Sequence, residues 1–238
     1  MPPVQNTKSS SRGPLYIILG VLALIVVAGG VYAATQSSRP TVSTLPNNTN
    51  AQGTITVGSG PTVVDIYQDY QCPNCARVED AVGDDVNRLI ADGSVTVNYQ
   101  LMSFLGPESE RGTAAAFCAA DANTFSEYNT YLLANQPGEK TGGYTTSDLI
   151  AAGTAVGLGE DFSECVRSGT YASLVGVSDD TALQNGVSAT PTYVVDGTPL
   201  RPETTADILA DIGAAVANKA ALPSVDGSAG DAPAAKRS

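Results

Sequence analysis

Twenty consecutive residues without a charge, Leu15 to Ala34 (LYIILGVLALIVVAGGVYAA), set the first constraint on this chain. About 20 apolar residues cross the hydrocarbon core of a bilayer as a helix. The apolar core of a secretory signal is shorter, about 7–15 residues. The run is therefore read as an uncleaved transmembrane anchor, and no polar stripe marks it as a buried soluble helix. Val31-Tyr32-Ala33 imitates a cleavage site, which leaves processing after Ala33 as the alternative. Lys8 and Arg12 precede the span and Arg39 alone follows it closely. The positive-inside bias then puts residues 1–14 in the cytoplasm and everything after Ala34 outside it, where disulfides persist.

Beyond the span, residues 35–52 (TQSSRPTVSTLPNNTNAQ) are polar and hold two prolines, as a flexible linker does. Residues 219–238 end in PSVDGSAGDAPAAKRS and read as a disordered tail. Residues 53–218 are left as one domain of ordinary size. The formal net charge is −12, and no Asp or Glu precedes Asp65. From Asp65 on, all 24 acidic residues face nine of the 12 basic ones. So acidic an exterior argues against nucleic acid and against adhesion to anionic lipid, and serves solubility.

Within the domain, TITVG (54–58) and PTVVDIY (61–67) are β-branched runs bounded by glycine or proline. From Pro73 to Ala91, Val78, Val82, Val86, Leu89 and Ile90 recur at helical spacing, and Gly93 ends the pattern. SVTVNYQL (94–101) alternates as a strand. Residues 107–185 lack strand patterning and carry helix-like segments. TPTYVV (190–195), a turn at Asp196-Gly197 and TPL (198–200) make a short hairpin. Thr205 to Asn218 reads as a last helix. The order is β-β-α-β, a helical block, then β-β-α.

The chain has four cysteines and no histidine, and two of the cysteines lie three apart in YQCPNC (70–75). At the start of a helix, Cys72 and Cys75 face each other across one turn. Cys72 sits where unpaired N–H groups and the positive helix end favour a thiolate. Pro73 suits the first turn because it has no N–H to leave unpaired. Cys75, one turn inside, is the more buried resolving thiol. Such a pair exchanges electrons. A purely structural bridge would close too small a loop to stabilise much. Structural zinc sites show two close cysteine pairs, whereas Cys118 and Cys165 stand 47 apart. No metal or cofactor is called for.

VVDIYQDYQCPNCARVED resembles the active-site region of the DsbA-like branch of the thioredoxin-fold thiol–disulfide oxidoreductases. The likeness extends through FSEYNTYLLANQP (125–137), TTSDLIAAGTAVGL (145–158) and GVSATPTYVVDG (186–197). It implies an α/β thioredoxin fold with an inserted all-helical domain at about 107–185. It makes Cys72 the surface nucleophile and Cys75 its buried partner. Thr190-Pro191 would hold a cis peptide opposite them, exposing backbone that pairs with a substrate chain; an ordinary trans turn is the alternative. Glu79 matches an acidic position of the family and would accept protons from Cys75, or is simply a solvated helix charge. Asn74 stands where the best-known oxidant of the family has histidine. Its amide can donate to the thiolate but carries no charge, so the Cys72 pKa is expected between about 7 and about 3.5. The buried carboxylate often found six residues before the first cysteine is replaced by Ile66. Asp65 is one off, on the opposite face of a strand, and Asp69 reads as a loop acid.

Cys118 and Cys165 are read as a structural disulfide between two inserted helices, with buried free thiols or a shuttle pair as alternatives. Three functions follow. The leading one is a membrane-anchored thiol oxidase acting on cysteine-containing secreted proteins. Its reoxidant, as the resemblance implies, is a quinone-coupled membrane thiol oxidase. A reductase of the same fold reverses the electron flow, and a non-catalytic extracytoplasmic binding module is the third. Isomerases of this fold usually dimerise and no dimerisation domain is recognised, so the reductase is preferred to an isomerase; the chain is read as a monomer.

Overall fold

The computed structural model describes residues 44–221. The expected anchor at 15–34, the cytoplasmic segment 1–14 and most of the tail lie outside the described residues. Among the described residues, no helix is long and apolar enough to cross a membrane.

Among the described residues, five strands and seven helices follow in order: β1 (Thr54–Gly58), β2 (Thr62–Gln68), α1 (Pro73–Ala91), β3 (Val95–Leu101), α2 (Pro107–Asp121), α3 (Phe125–Ala134), α4 (Thr146–Ala155), α5 (Glu160–Ser168), α6 (Ala172–Gln184), β4 (Thr192–Val195), β5 (Thr198–Pro199) and α7 (Thr205–Ala221). The sheet order is β1-β3-β2-β4-β5. β2 and β3 are parallel, joined through α1, and the other neighbours are antiparallel. Val64 lies level with Val97 on one side and Val195 on the other. This is a mixed thioredoxin-like sheet, with α2 to α6 inserted between β3 and β4.

Strand alternation assigns the two faces. Val64, Ile66, Val95, Val97, Tyr99 and Val195 join Val78, Val82 and Val86 of α1 and Ile208 and Ile212 of α7 in the main core. These α1 valines recur every four residues, which keeps one stripe against the sheet. The opposite face is polar: Asn98 Nδ2 donates to Asp65 at 2.8 Å, and Thr56 donates to Asn98 at 2.9 Å. α6 covers part of it, with Gln100 Nε2 donating to Ser178 Oγ at 2.6 Å and Ala182 packing on Tyr67 and Met102. Asp65 therefore lies on the face away from α1. The Cys118–Cys165 disulfide ties α2 to α5 with Cα atoms 5.9 Å apart.

Two boundaries differ from expectation. Residues 46–52, assigned to the flexible linker, are part of the domain. Thr56 N donates to Asn48 O at 2.8 Å, and the Asn50 carboxamide accepts from Gln52 N and Thr54 N at 3.0 Å. Asn47 Nδ2 donates to Asp121 O at 2.6 Å, at the end of α2. Asparagine side chains that bond nearby backbone make a turn where composition suggested a tether. At the other end, α7 runs on to Ala221, past the expected limit at 218. Lys219 holds it there by donating to Pro61 O at 3.0 Å and pairing with Asp196 at 3.1 Å.

Candidate active site

α1 starts where β2 leaves the sheet. Cys72 is its N-cap, in extended conformation with no side-chain capping bond, and Pro73 occupies the first turn. Cys75 N donates to Cys72 O at 3.0 Å. Both cysteines are free thiols, 7 % and 3 % exposed respectively. The nucleophile expected at the surface is thus nearly as enclosed as its partner. The Thr190-Pro191 peptide bond beside them is cis. The Thr190 carbonyl lies 3.4 Å from Cys72 Sγ and accepts from it.

The two thiols are opposites in acidity. Cys72 falls from 9.0 to about 5, chiefly because the Cys75 S–H donates to it. Burial opposes this, while the Thr190 side-chain hydroxyl and the backbone N–H groups of Cys75 and Asn74 assist. Cys75 is driven up, first by that same bond and then by burial. The free amides at the helix start act as the sequence suggests, but the neighbouring thiol contributes most.

Asn74 and Glu79 take other partners. Asn74 is exposed and its carbonyl oxygen accepts from Arg77, so its contribution to Cys72 comes through the backbone N–H. Glu79 accepts from Thr130 Oγ1 of α3 at 2.6 Å. Burial raises its carboxyl, with Thr130 opposing. No hydrogen bond joins it to Cys75 among the described residues.

The side chains that seat the cysteine loop escaped the sequence reading. Asp69, taken for a loop acid, is 1 % exposed. It accepts from Gln71 N at 2.8 Å, Ser109 Oγ at 2.5 Å and Leu105 N at 3.2 Å. Burial pushes its carboxyl up against those donors. Asp two residues before the N–H it binds is a recognisable turn signal, whereas Ser109 and Leu105 are remote in sequence. From the helical block, Gln136 Nε2 donates to Tyr70 O at 2.6 Å and Cys72 O at 3.1 Å. Tyr144 OH donates to Tyr70 O at 3.1 Å and Leu132 O at 2.9 Å.

A family model described as Thioredoxin matches residues 50–213. The chain belongs to the thioredoxin family. Its fold is similar to that of Mycobacterium tuberculosis DsbA in the oxidised form, at 28% identity and TM-score 0.59, covering 71% of this chain and 90% of that one. It is also similar to Bacillus subtilis BdbD, at 20% identity and TM-score 0.63, covering 73% and 98%; that likeness concerns the fold alone. In sequence it is 28% identical over 159 residues to the serine/threonine-protein kinase PknE of Mycobacterium tuberculosis. The match covers 59% of this chain and 28% of the kinase, so the chain spans less than a third of that relative's length. Within the thioredoxin family, the fold and the cysteine pair are those of a DsbA-like thiol–disulfide oxidoreductase.

Proposed function

We propose that this protein oxidises thiol pairs in secreted proteins, working from the outer side of a membrane. The observation that carries the reading is the pairing of a depressed Cys72 with a raised Cys75, beside Thr190. A substrate thiolate attacks Cys72 Sγ of the Cys72–Cys75 disulfide. A mixed disulfide forms and Cys75 leaves, taking a proton. The substrate's second thiolate then displaces Cys72, which departs as a thiolate. Two electrons pass to the protein and the substrate closes its own disulfide. A thiolate stabilised at Cys72 lowers the energy of the reduced protein, which makes its disulfide the better oxidant. At about 5, Cys72 falls between the values of about 7 for thioredoxin and about 3.5 for DsbA.

The uncharged run 15–34 and the Cys118–Cys165 disulfide support an anchored, extracytoplasmic domain. A quinone-coupled membrane thiol oxidase would return Cys72–Cys75 to the disulfide. Equilibrating the pair against glutathione tests the direction. An oxidase gives a potential well above −270 mV, toward about −120 mV. A value near about −270 mV reverses the reading to a reductase.

A further inference from the structure

The groove beside the cysteine pair differs in charge from the rest of the domain. Residues 44–221 hold seven Lys and Arg against 22 Asp and Glu. Four of the seven are paired with carboxylates: Arg88, Lys140, Arg167 and Lys219. Arg111 is held by the carbonyls of Tyr144 and Gly143 at 2.8 and 2.9 Å. Arg77 and Arg201 remain, both exposed. Arg77 donates only to the Asn74 side chain, and Arg201 has no polar partner among the described residues. These two line one groove of about 830 Å³, which runs from Asn74 and Pro191 to the start of α7. Glu203 is the groove's one carboxylate, and it forms no ion pair with either arginine among the described residues. Tyr193, Leu200 and Ile208 supply apolar wall. Among the described residues, the two cations without a carboxylate or backbone-carbonyl partner thus line the groove that begins beside the cysteine pair, at Asn74 and Pro191.

We propose that this groove selects protein substrates whose reacting cysteine is flanked by Asp or Glu, with Arg77 and Arg201 as the specificity-determining residues. The proposal rests on the thiol-exchange reading above. The occupant is an extended cysteine-bearing segment of the substrate, and the argument for it is charge complementarity. Guanidinium groups suit carboxylates because their planar fork donates to both oxygens. Opposite charges at an exposed rim set encounter and register more than raw affinity.

The test uses two reduced dithiol peptides of identical composition and net charge. In one, glutamates flank the first cysteine and lysines lie at the far end; in the other, the two are exchanged. Equal net charge cancels the repulsion of the acidic domain. Each rate of oxidation by the disulfide form is divided by that peptide's rate with neutral 2-hydroxyethyl disulfide, which removes differences in thiol reactivity. The glutamate-flanked isomer should react about tenfold faster at about 10 mM ionic strength, and the preference should fade toward about 1 M as screening shortens. Arg77→Gln with Arg201→Gln should reduce the ratio to within about twofold, and Arg77→Lys with Arg201→Lys should keep most of it. Equal rates in the unaltered protein, or a preference that survives the double glutamine variant, overturn the inference and leave the thiol-exchange reading intact. If neither peptide is oxidised, both fall.

Discussion

Replacing Cys75 by alanine should disarm Cys72 without touching it. The drop of Cys72 from 9.0 to about 5 is four decades of proton affinity, about 5 kcal/mol. The largest cause is one hydrogen bond from the Cys75 thiol to the Cys72 sulfur. A bond to a charged acceptor contributes about 1.5–3 kcal/mol, or about one to two pH units. Cys75→Ala should therefore move Cys72 to about 6–7, where the helix-start amides and Thr190 still hold it below 9.0. At pH 7 the ionised fraction would fall from about 99% to between about half and nine-tenths. Cys75→Ser keeps an O–H donor in place and should titrate nearer the unaltered protein. Ultraviolet thiolate absorbance against pH, read on the reduced protein and both variants, measures all three. If Cys75→Ala still titrates at about 5, the neighbouring thiol is not the source and the peptide groups alone suffice; if Ser raises Cys72 as far as Ala does, the effect of Cys75 is not that of a donated hydrogen bond.

Three further outcomes are expected. Cys118→Ala with Cys165→Ala opens a loop of 47 residues' separation and should lower unfolding stability by up to about 4 kcal/mol in urea under oxidising conditions. Asp179 is raised to about 6, mainly by burial and against the bond from Ser103 N, so its contribution is fully present below 3.8 and lost as pH rises through about 6. Asp179→Asn, whose amide oxygen keeps the Ser103 bond, should then melt higher than the unaltered protein at pH 7 and no higher at pH 4; a gain equal at both would refute the buried-charge account. Glu79→Gln retains an acceptor for Thr130 and should change the rate of substrate oxidation by less than about threefold. A tenfold loss in stopped-flow would show Glu79 serving Cys75 after all.

The order of elements was legible because each had a local cause. Val78, Val82 and Val86 marked the buried stripe of α1, and β-branched runs marked β1 to β3. Pro73 and Gly93 punctuated α1 at its start and just beyond its end. The linker boundary was not legible, because Asn47, Asn48 and Asn50 have loop composition whether they dangle or dock. At the site, the cysteines announced themselves by spacing. Asp69, Gln136 and Tyr144 did not, since their partners depend on how the helical block folds back over the loop at 70–72. Glu79 was assigned by position along α1, but position could not disclose that Thr130, 51 residues later, would claim its carboxylate.

The inserted helices also limit how far this protein can be trimmed. Gln136 and Tyr144 both donate to the Tyr70 carbonyl, and Gln136 also reaches that of Cys72, just ahead of α1. Cutting the insertion out to leave a minimal sheet-and-helix scaffold would orphan the Tyr70 carbonyl, strip the Gln136 bond from Cys72 O and unseat the reactive turn. A shortened version could keep both sulfurs and the entire sheet yet lose the alignment between them, so the helical block is a working part of the electron-exchange device.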